Sequence, residues 1–216
     1  MNRRFIAELL AGSLPRLHDP LDPEAAVARR RSRLRGDHIV DARMRIPETL
    51  RDAAVLVPLV DHPGGMNVLL TQRTADLQHH AGQVAFPGGR LDATDRDPVH
   101  TALREAEEEI GLPSGAVDIV GRLDDYITGT GYVVAPIVGF VGPGRDYAPD
   151  PSEVDDVFEV PLSFFMDPAN HTRETKRWRG IERTFYAMPW NGRYIWGATA
   201  AMLVNLYEVL TRKAAA

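Results

Sequence analysis

The stretch Phe86–Leu112, "FPGGRLDATDRDPVHTALREAEEEIGL", decides how the rest of the chain is read. A Pro-Gly-Gly turn opens it, a polar loop follows, and four glutamates fall within the five positions 105–109. Pro98 suits a first helical turn, and Gly111, Leu112 and Pro113 form a stop, so the pattern predicts a helix over about 98–110. At roughly 100° per residue, Glu105, Glu108 and Glu109 stand at i, i+3 and i+4 and share a face. Val99, Leu103, Ala106 and Ile110 form a separate apolar stripe, and Glu107 is expected to face solvent. Like charges so placed cost only about 0.2–0.5 kcal/mol per pair on an exposed helix, so a solvated acidic face is one reading. The other is a cation site. Hard divalent ions want carboxylate oxygens and relieve their repulsion, and a glycine turn lets backbone groups approach the same ion or a phosphate.

Working outward, "AAVLVPLVD" (53–61) reads as a strand buried on both faces, "HPGG" as a turn, and "MNVLLTQR" (66–73) as a second strand. "GQVAF" (82–86) is a short third. After the helix, "AVDIVGRL", "YVVAPIVGFV" and "EVDDVFEVPLSFF" read as strands, the last running into a helical turn. "TRETKRWRGIERTFYAMPW" has hairpin character around Gly180, and a final helix starts near Trp196, with small residues suited to close packing on a sheet. The order predicts an α/β (α+β) domain over 51–216, a mixed sheet between helices on both faces. Residues 1–50 read as a helical amino-terminal extension. It has one helix near Arg3–Leu10 and a second that starts after Asp22, with an arginine run that ends at Gly36. That run fits a solvated helix face or a subunit contact, and an anionic partner is the alternative.

With 44% hydrophobic and 25% charged residues among 216, the composition is that of an ordinary globular protein. The net charge of -5 argues against a general nucleic-acid or anionic-membrane binder, though a local basic patch could still hold a phosphate. There is no cysteine, which excludes disulfides and thiolate metal sites and fits a cytoplasmic location. "MNRRFIAELLAGSL" and "GYVVAPIVGFVG" are too short to span a bilayer. The seven histidines show no ligand spacing, and no Gly-x-Ser-x-Gly turn supports a serine nucleophile.

From Gly89 to Leu112 the sequence resembles the Nudix box, the signature of the Nudix hydrolase superfamily: Gly, five residues, Glu, seven residues, then Arg-Glu-apolar-x-Glu-Glu-x-Gly-apolar. Arg104, Glu105, Ala106, Glu108, Glu109, Gly111 and Leu112 match. Asp95 stands in place of the first Glu, and eight residues rather than seven separate it from Arg104. The resemblance implies a Nudix fold and a metal-dependent hydrolase of nucleoside diphosphate derivatives. By position, Glu105, Glu108 and Glu109 would bind Mg²⁺ or Mn²⁺, with the Gly89 carbonyl as a further ligand. Arg104 would hold a metal-binding glutamate in place. Glu153 is a further candidate, as ligand or general base, and also fits a strand cap or a solvated acid.

Upstream, "LLTQRTADLQHHAGQVAFPGG" (69–89) resembles the motif of the coenzyme A pyrophosphatase branch. Leu69, Leu70, Thr71, Arg73, Gly82, Phe86, Pro87, Gly88 and Gly89 match, while Thr74 replaces Ser or Ala and Gln78 replaces Arg. The terminal "YIWGATAAMLVNL" also resembles that branch. The implied reaction splits coenzyme A or an acyl-CoA into (acyl-)4′-phosphopantetheine and adenosine 3′,5′-bisphosphate. Arg73, Gln78, Gly88 and Gly89 are the implied substrate contacts, and Arg73 in an ordinary strand-end salt bridge is the alternative. The implied partner is a small nucleotide diphosphate, acted on by a monomer or homodimer. Two rivals stand beside this reading: hydrolysis of ADP-ribose or an oxidised nucleotide, and a non-catalytic nucleotide-sensing module, which would be expected to lose catalytic glutamates.

Overall fold

The computed structural model describes residues 1–16, 35–77, 80–178 and 180–212. The second amino-terminal helix, most of the arginine run, Gln78 and His79 lie outside these residues.

Two strands form the centre. β2 (Arg51–His62) runs parallel to β8 (Tyr132–Val141), the one β2 neighbour with that direction. Outward from β2 come the antiparallel β3 (Gly65–Arg73), then β9 (Val154–Pro161) and the two-residue β4 (Val84–Ala85) on β3. β5 (Gly88–Arg90) pairs with the first half of β2. Beyond β8 lie β6 (Val117–Arg122) and β7 (Tyr126–Ile127), and the two-residue β1 (Arg35–Gly36) pairs with β7. A second sheet is a meander of β10 (Thr172–Trp178), β11 (Ile181–Trp190) and β12 (Arg193–Trp196). The hairpin expected around Gly180 is its first half.

The continuous apolar runs are explained by helices on both faces. Side chains alternate across a strand, so Ala54, Leu56 and Val60 of β2 with Ala135, Ile137 and Val141 of β8 pack under one helix, α3 (Pro98–Ile110). Val57 and Leu59 with Val138 and Phe140 meet the opposite layer. That layer holds α1 (Arg3–Leu10), through buried Ile6 and Leu10, and the last helix, α5 (Gly197–Thr211). Ala200, Ala201, Leu203 and Leu206 of α5 are all buried, as its small residues require for close packing. Two single-turn helices, α2 (Asp37–Val40) and α4 (Leu162–Phe165), complete the chain order. No helix among the described residues is long and apolar enough to cross a membrane.

The helix α3 has the expected bounds for local reasons. Asp97 caps its start, Oδ1 accepting the His100 amide at 2.8 Å. Gly111 ends it at φ 66, and the amides of Gly111 and Leu112 close back on Glu107 and Ala106. Its apolar stripe behaves unevenly: Ala106 and Ile110 are buried, while Val99 and Leu103 are partly covered.

Candidate active site

The carboxyl-terminal end of β3, the strand β5, the last turns of α3 and the residue that precedes β9 meet at one place. Two long-range links fasten it. The Asp150 amide donates to the Glu109 carbonyl at 2.9 Å, and the Thr74 amide donates to the Glu153 carbonyl at 3.0 Å. The loop between β8 and β9 is thereby tied to α3 at one end and to β3 at the other, which delivers Glu153 to the site.

The three glutamates on the shared face occupy different environments. Glu109 is 3% exposed. Its carboxylate accepts the Gly88 amide at 3.0 Å and an Arg73 Nη1–H at 3.2 Å. Burial pushes its pKa up to about 7; the Gly88 amide and Arg73 pull the other way, and Glu153 and Glu105 add to the rise. Glu105 is also shifted upward, first by burial, against the pull of Arg104 and with a push from Glu108 and Glu153. Its carboxylate lies under Gly89, where an added Cβ would come within 2.5 Å of it. Glu108 is 59% exposed and accepts from Arg104 Nη1 at 2.8 Å. Glu107 accepts from the Ser114 hydroxyl at 3.0 Å on the exposed surface.

Arg104 organises the flank. It pairs with Glu105 at 2.9 Å and with Glu108, and its Nη2 donates to the Arg90 carbonyl at 3.2 Å. Its anchor is Asp95, whose side chain is fully buried and accepts Nε at 3.0 Å and Nη2 at 2.9 Å. Burial alone would raise the Asp95 pKa, but Arg104, the Asp92 amide, Thr101 and His100 together hold its carboxyl below the ordinary carboxylate range. The residue that departs from the family pattern therefore still reaches the arginine. The extra loop position is absorbed in a turn where Asp92 accepts the Thr94 amide and Asp95 accepts the Asp92 amide. The sequence reading did not single out His100 or Thr101, which complete this anchor; their only signal is their place at five and six residues after Asp95.

Arg73 is a shared counter-ion, 3.2 Å from Glu109 and 3.6 Å from Glu153. Glu153, 48% exposed, is thus joined through Arg73 to the buried Glu109. Gly88 and Gly89 sit against β2 and α3 respectively. Gln78 lies outside the described residues. A groove of about 510 Å³ along the outer flank of α3 reaches this site only through Arg104 and Glu108. Among the described residues, no three acidic or histidine side chains converge tightly enough to enclose an ion by themselves. The donor set is nonetheless all hard oxygen, and the absent Cβ at Gly89 leaves the space beside the Glu105 carboxylate open. The residues present fit a divalent ion that completes its shell with water and phosphate oxygens.

The family model for the NUDIX domain matches residues 50–183. Among curated relatives, "Uncharacterized Nudix hydrolase NudL" of Photorhabdus laumondii is 41% identical over 165 residues, which cover 76% of this chain and 87% of the relative. The protein of the same name in Escherichia coli K12 is 42% identical over 162 residues, covering 74% and 83%. A solved MutT/nudix family protein from Enterococcus faecalis superposes with a TM-score of 0.53 over 80% of this chain and 67% of its own, at 16% identity, and so shares the fold. With the box residues gathered at one site and the match extending over most of the chain, the protein belongs to the Nudix hydrolases.

Proposed function

We propose that this hydrolase cleaves the phosphoanhydride of coenzyme A or an acyl-CoA, giving (acyl-)4′-phosphopantetheine and adenosine 3′,5′-bisphosphate. The observation that carries the reading is a junction. The segment with the coenzyme A motif supplies both Arg73 and the Gly88 amide to Glu109, the most buried acid of the Nudix helix. The two motifs thus serve one site.

Glu105, Glu108 and Glu109 would hold Mg²⁺ or Mn²⁺, with the Gly89 carbonyl as a further donor. Such an ion supplies charge neutralisation and an activated water. The chain's own residues do the rest. Arg104, fixed by Asp95, orients Glu105 and Glu108. The Gly88–Gly89 turn leaves room for a diphosphate to approach the backbone. Glu153, half-exposed beside the buried acids, is the candidate general base. Arg73 is held as a counter-ion for Glu109 and Glu153, and its contact with substrate phosphate is part of the proposal. The catalytic unit is residues 51–216, with 1–50 as an extension whose first helix packs on the core.

The test is product analysis after incubation with CoA, ADP-ribose and nucleoside triphosphates, each with Mg²⁺ or Mn²⁺. The expected result is 4′-phosphopantetheine and adenosine 3′,5′-bisphosphate from CoA at the highest kcat/KM of the panel. Preference for ADP-ribose or a nucleoside triphosphate would move the assignment to another Nudix substrate.

A further inference from the structure

The segment Thr172–Arg183, "TRETKRWRGIER", carries five cations and two anions in a chain whose net charge is -5. It forms β10 and the start of β11. One face of the β10–β11–β12 sheet is turned inward by Met188 and Ile195, both fully buried. Alternation puts Lys176, Arg183, Phe185, Tyr194 and Trp196 on the opposite, open face.

Two features of that face point to a ligand. Lys176 and Arg183 are direct cross-strand partners, an arrangement of like charges that destabilises a sheet, and the single carboxylate beside them, Glu174, is engaged by Lys176. Lys176 is held by the Tyr194 hydroxyl at 2.7 Å and by Glu174 at 3.1 Å, the one carboxylate of these strands on this face. Arg183 is half-buried and pairs with Lys176 through its backbone, but its side chain makes no hydrogen bond or ion pair among the described residues. Beside the cations stand three half-exposed rings. Phe185 and Trp196 meet edge-on at 5.1 Å, Tyr194 and Trp196 are tilted at 6.2 Å, and the Lys176 ammonium is 4.3 Å from the Tyr194 centroid. Aromatic faces flanked by cations take planar bases with attached phosphate.

The sheet is also linked to the segment that precedes the glycine turn. Trp196 leads into α5, where the Thr199 hydroxyl donates to the Val84 carbonyl at 3.1 Å. Val84 belongs to β4, which lies between Arg73 and the Phe86–Gly89 turn. A polyanion such as nucleic acid, or an anionic bilayer, would meet a chain of net negative charge around so small a patch. A single nucleotide meets only the patch.

We infer that this open face binds the purine and phosphate of a nucleotide, with the base against Phe185 and Trp196 and the phosphate at Lys176 and Arg183. In catalysis this is the nucleoside end of the substrate, so the inference rests on the nucleotide-diphosphate reading above. The test is calorimetric titration of the full-length protein with adenosine 3′,5′-bisphosphate, which needs no turnover. Arg183→Gln is expected to weaken binding about ten- to hundred-fold, the range for one charge-assisted contact, and Phe185→Leu to weaken it as well. Arg183→Gln should also raise KM for CoA. Arg4→Gln, which removes a cation from α1, should leave bisphosphate affinity unchanged. No binding by the wild type, equal affinity in Arg183→Gln, or an equal loss in Arg4→Gln would overturn the inference. Bisphosphate binding that depends on Arg183 in a protein that leaves CoA intact would support it while removing the coenzyme A assignment.

Discussion

The guanidinium of Arg73 stands 3.2 Å from the carboxylate of Glu109, joining the last residue of β3 to the penultimate residue of α3. Strand and helix come from different motifs, 36 residues apart. The pair shows that the most buried acid of the Nudix helix depends on the segment before the glycine turn for its counter-charge. Burial nevertheless outweighs that charge, and Glu109 holds its proton up to about pH 7.

The stability of the metal-free protein should therefore fall across a defined window. The Glu109 pKa is about 7 in the folded chain against an ordinary glutamate value of 4.5. Between these values the folded state binds more protons than the unfolded one, so stability falls as pH rises and levels off above 7. The full contribution is about 3 kcal/mol, as 1.36 kcal/mol per unit. Glu109→Gln removes it and also removes a candidate metal oxygen. The expected result, in excess chelator, is a variant with a higher Tm than wild type at pH 7.5 and a difference that shrinks toward pH 5. Turnover with Mg²⁺ should drop by about 10²-fold or more. A constant Tm difference across that range would refute the assignment of the shift to Glu109.

The two glycines of the turn should fail in different ways. A Cβ on Gly88 would lie 2.5 Å from the Ala54 carbonyl oxygen and 2.6 Å from the Val55 Cα, both backbone atoms of the central strand. Gly88→Ala is expected to cost roughly 1–3 kcal/mol of stability. A Cβ on Gly89 would instead meet the end of the Glu105 side chain, which can swing aside. Gly89→Ala should keep Tm near that of wild type but lose about 10²-fold in turnover, because a displaced carboxylate no longer meets its ion. Thermal melts and kcat measured together separate the two; a Gly89→Ala enzyme with unchanged kcat would mean that Glu105 has no part in turnover.

Much of this was legible in the sequence because local rules and tertiary needs agree there. Pro98 and Gly111 mark the ends of α3 by backbone chemistry alone. The uninterrupted apolar runs of β2 and β8 reflect helices on both faces, as continuous runs do. The i, i+3, i+4 spacing found the glutamates but not their inequality. Burial of Glu109 and exposure of Glu108 depend on Gly88 and on the Asp150 amide, which pins the loop before β9 to the end of α3, and such contacts leave no periodic trace. The anchor of Arg104 was half visible: Asp95 could be placed by analogy, whereas His100 and Thr101 reach it only because of the turn at Asp92–Asp95. The open face of the meander shows in the sequence only as a hairpin, since pairing register, not composition, sets Lys176 opposite Arg183.

Restoring the family's glutamate at position 95 should harm this protein. Asp95 is fully enclosed and accepts from Arg104, Thr101, His100 and the Asp92 amide. One more methylene has no space there, so Asp95→Glu is expected to cost roughly 1–3 kcal/mol. Asp95→Asn keeps the shape but weakens the hold on Arg104, with a similar cost and a loss of turnover through Glu105 and Glu108. The folded pKa of Asp95 is depressed, so its stabilisation is present above about pH 4, the ordinary aspartate value, and is lost as pH falls below it. Urea melts at pH 7 and pH 3 check both: the gap between wild type and Asp95→Asn should narrow at the lower pH, where the unfolded aspartate takes up a proton while the folded one keeps its charge. A fully stable and active Asp95→Glu would show that the lengthened loop relaxes freely.

Glu153 gives the sharpest test of the chemistry. It is half-exposed, lies 3.6 Å from Arg73, and its charge raises the proton affinity of both Glu105 and Glu109. A spectator in that position would act only through the field. Its removal would lower the Glu109 pKa and shift the acid limb of the pH–rate profile downward, leaving the plateau intact. A general base would act on the plateau itself, where proton transfer typically contributes about 10²–10⁴-fold. We expect Glu153→Gln to lower the plateau kcat by about 10²-fold while Mn²⁺ affinity, measured by calorimetry, stays within a few-fold of wild type. Glu153→Asp should recover part of the loss, since the carboxylate is kept and only its reach is shortened. A shifted acid limb with an unchanged plateau would instead make Glu153 an electrostatic neighbour of the buried acids and send the search for the base to another residue.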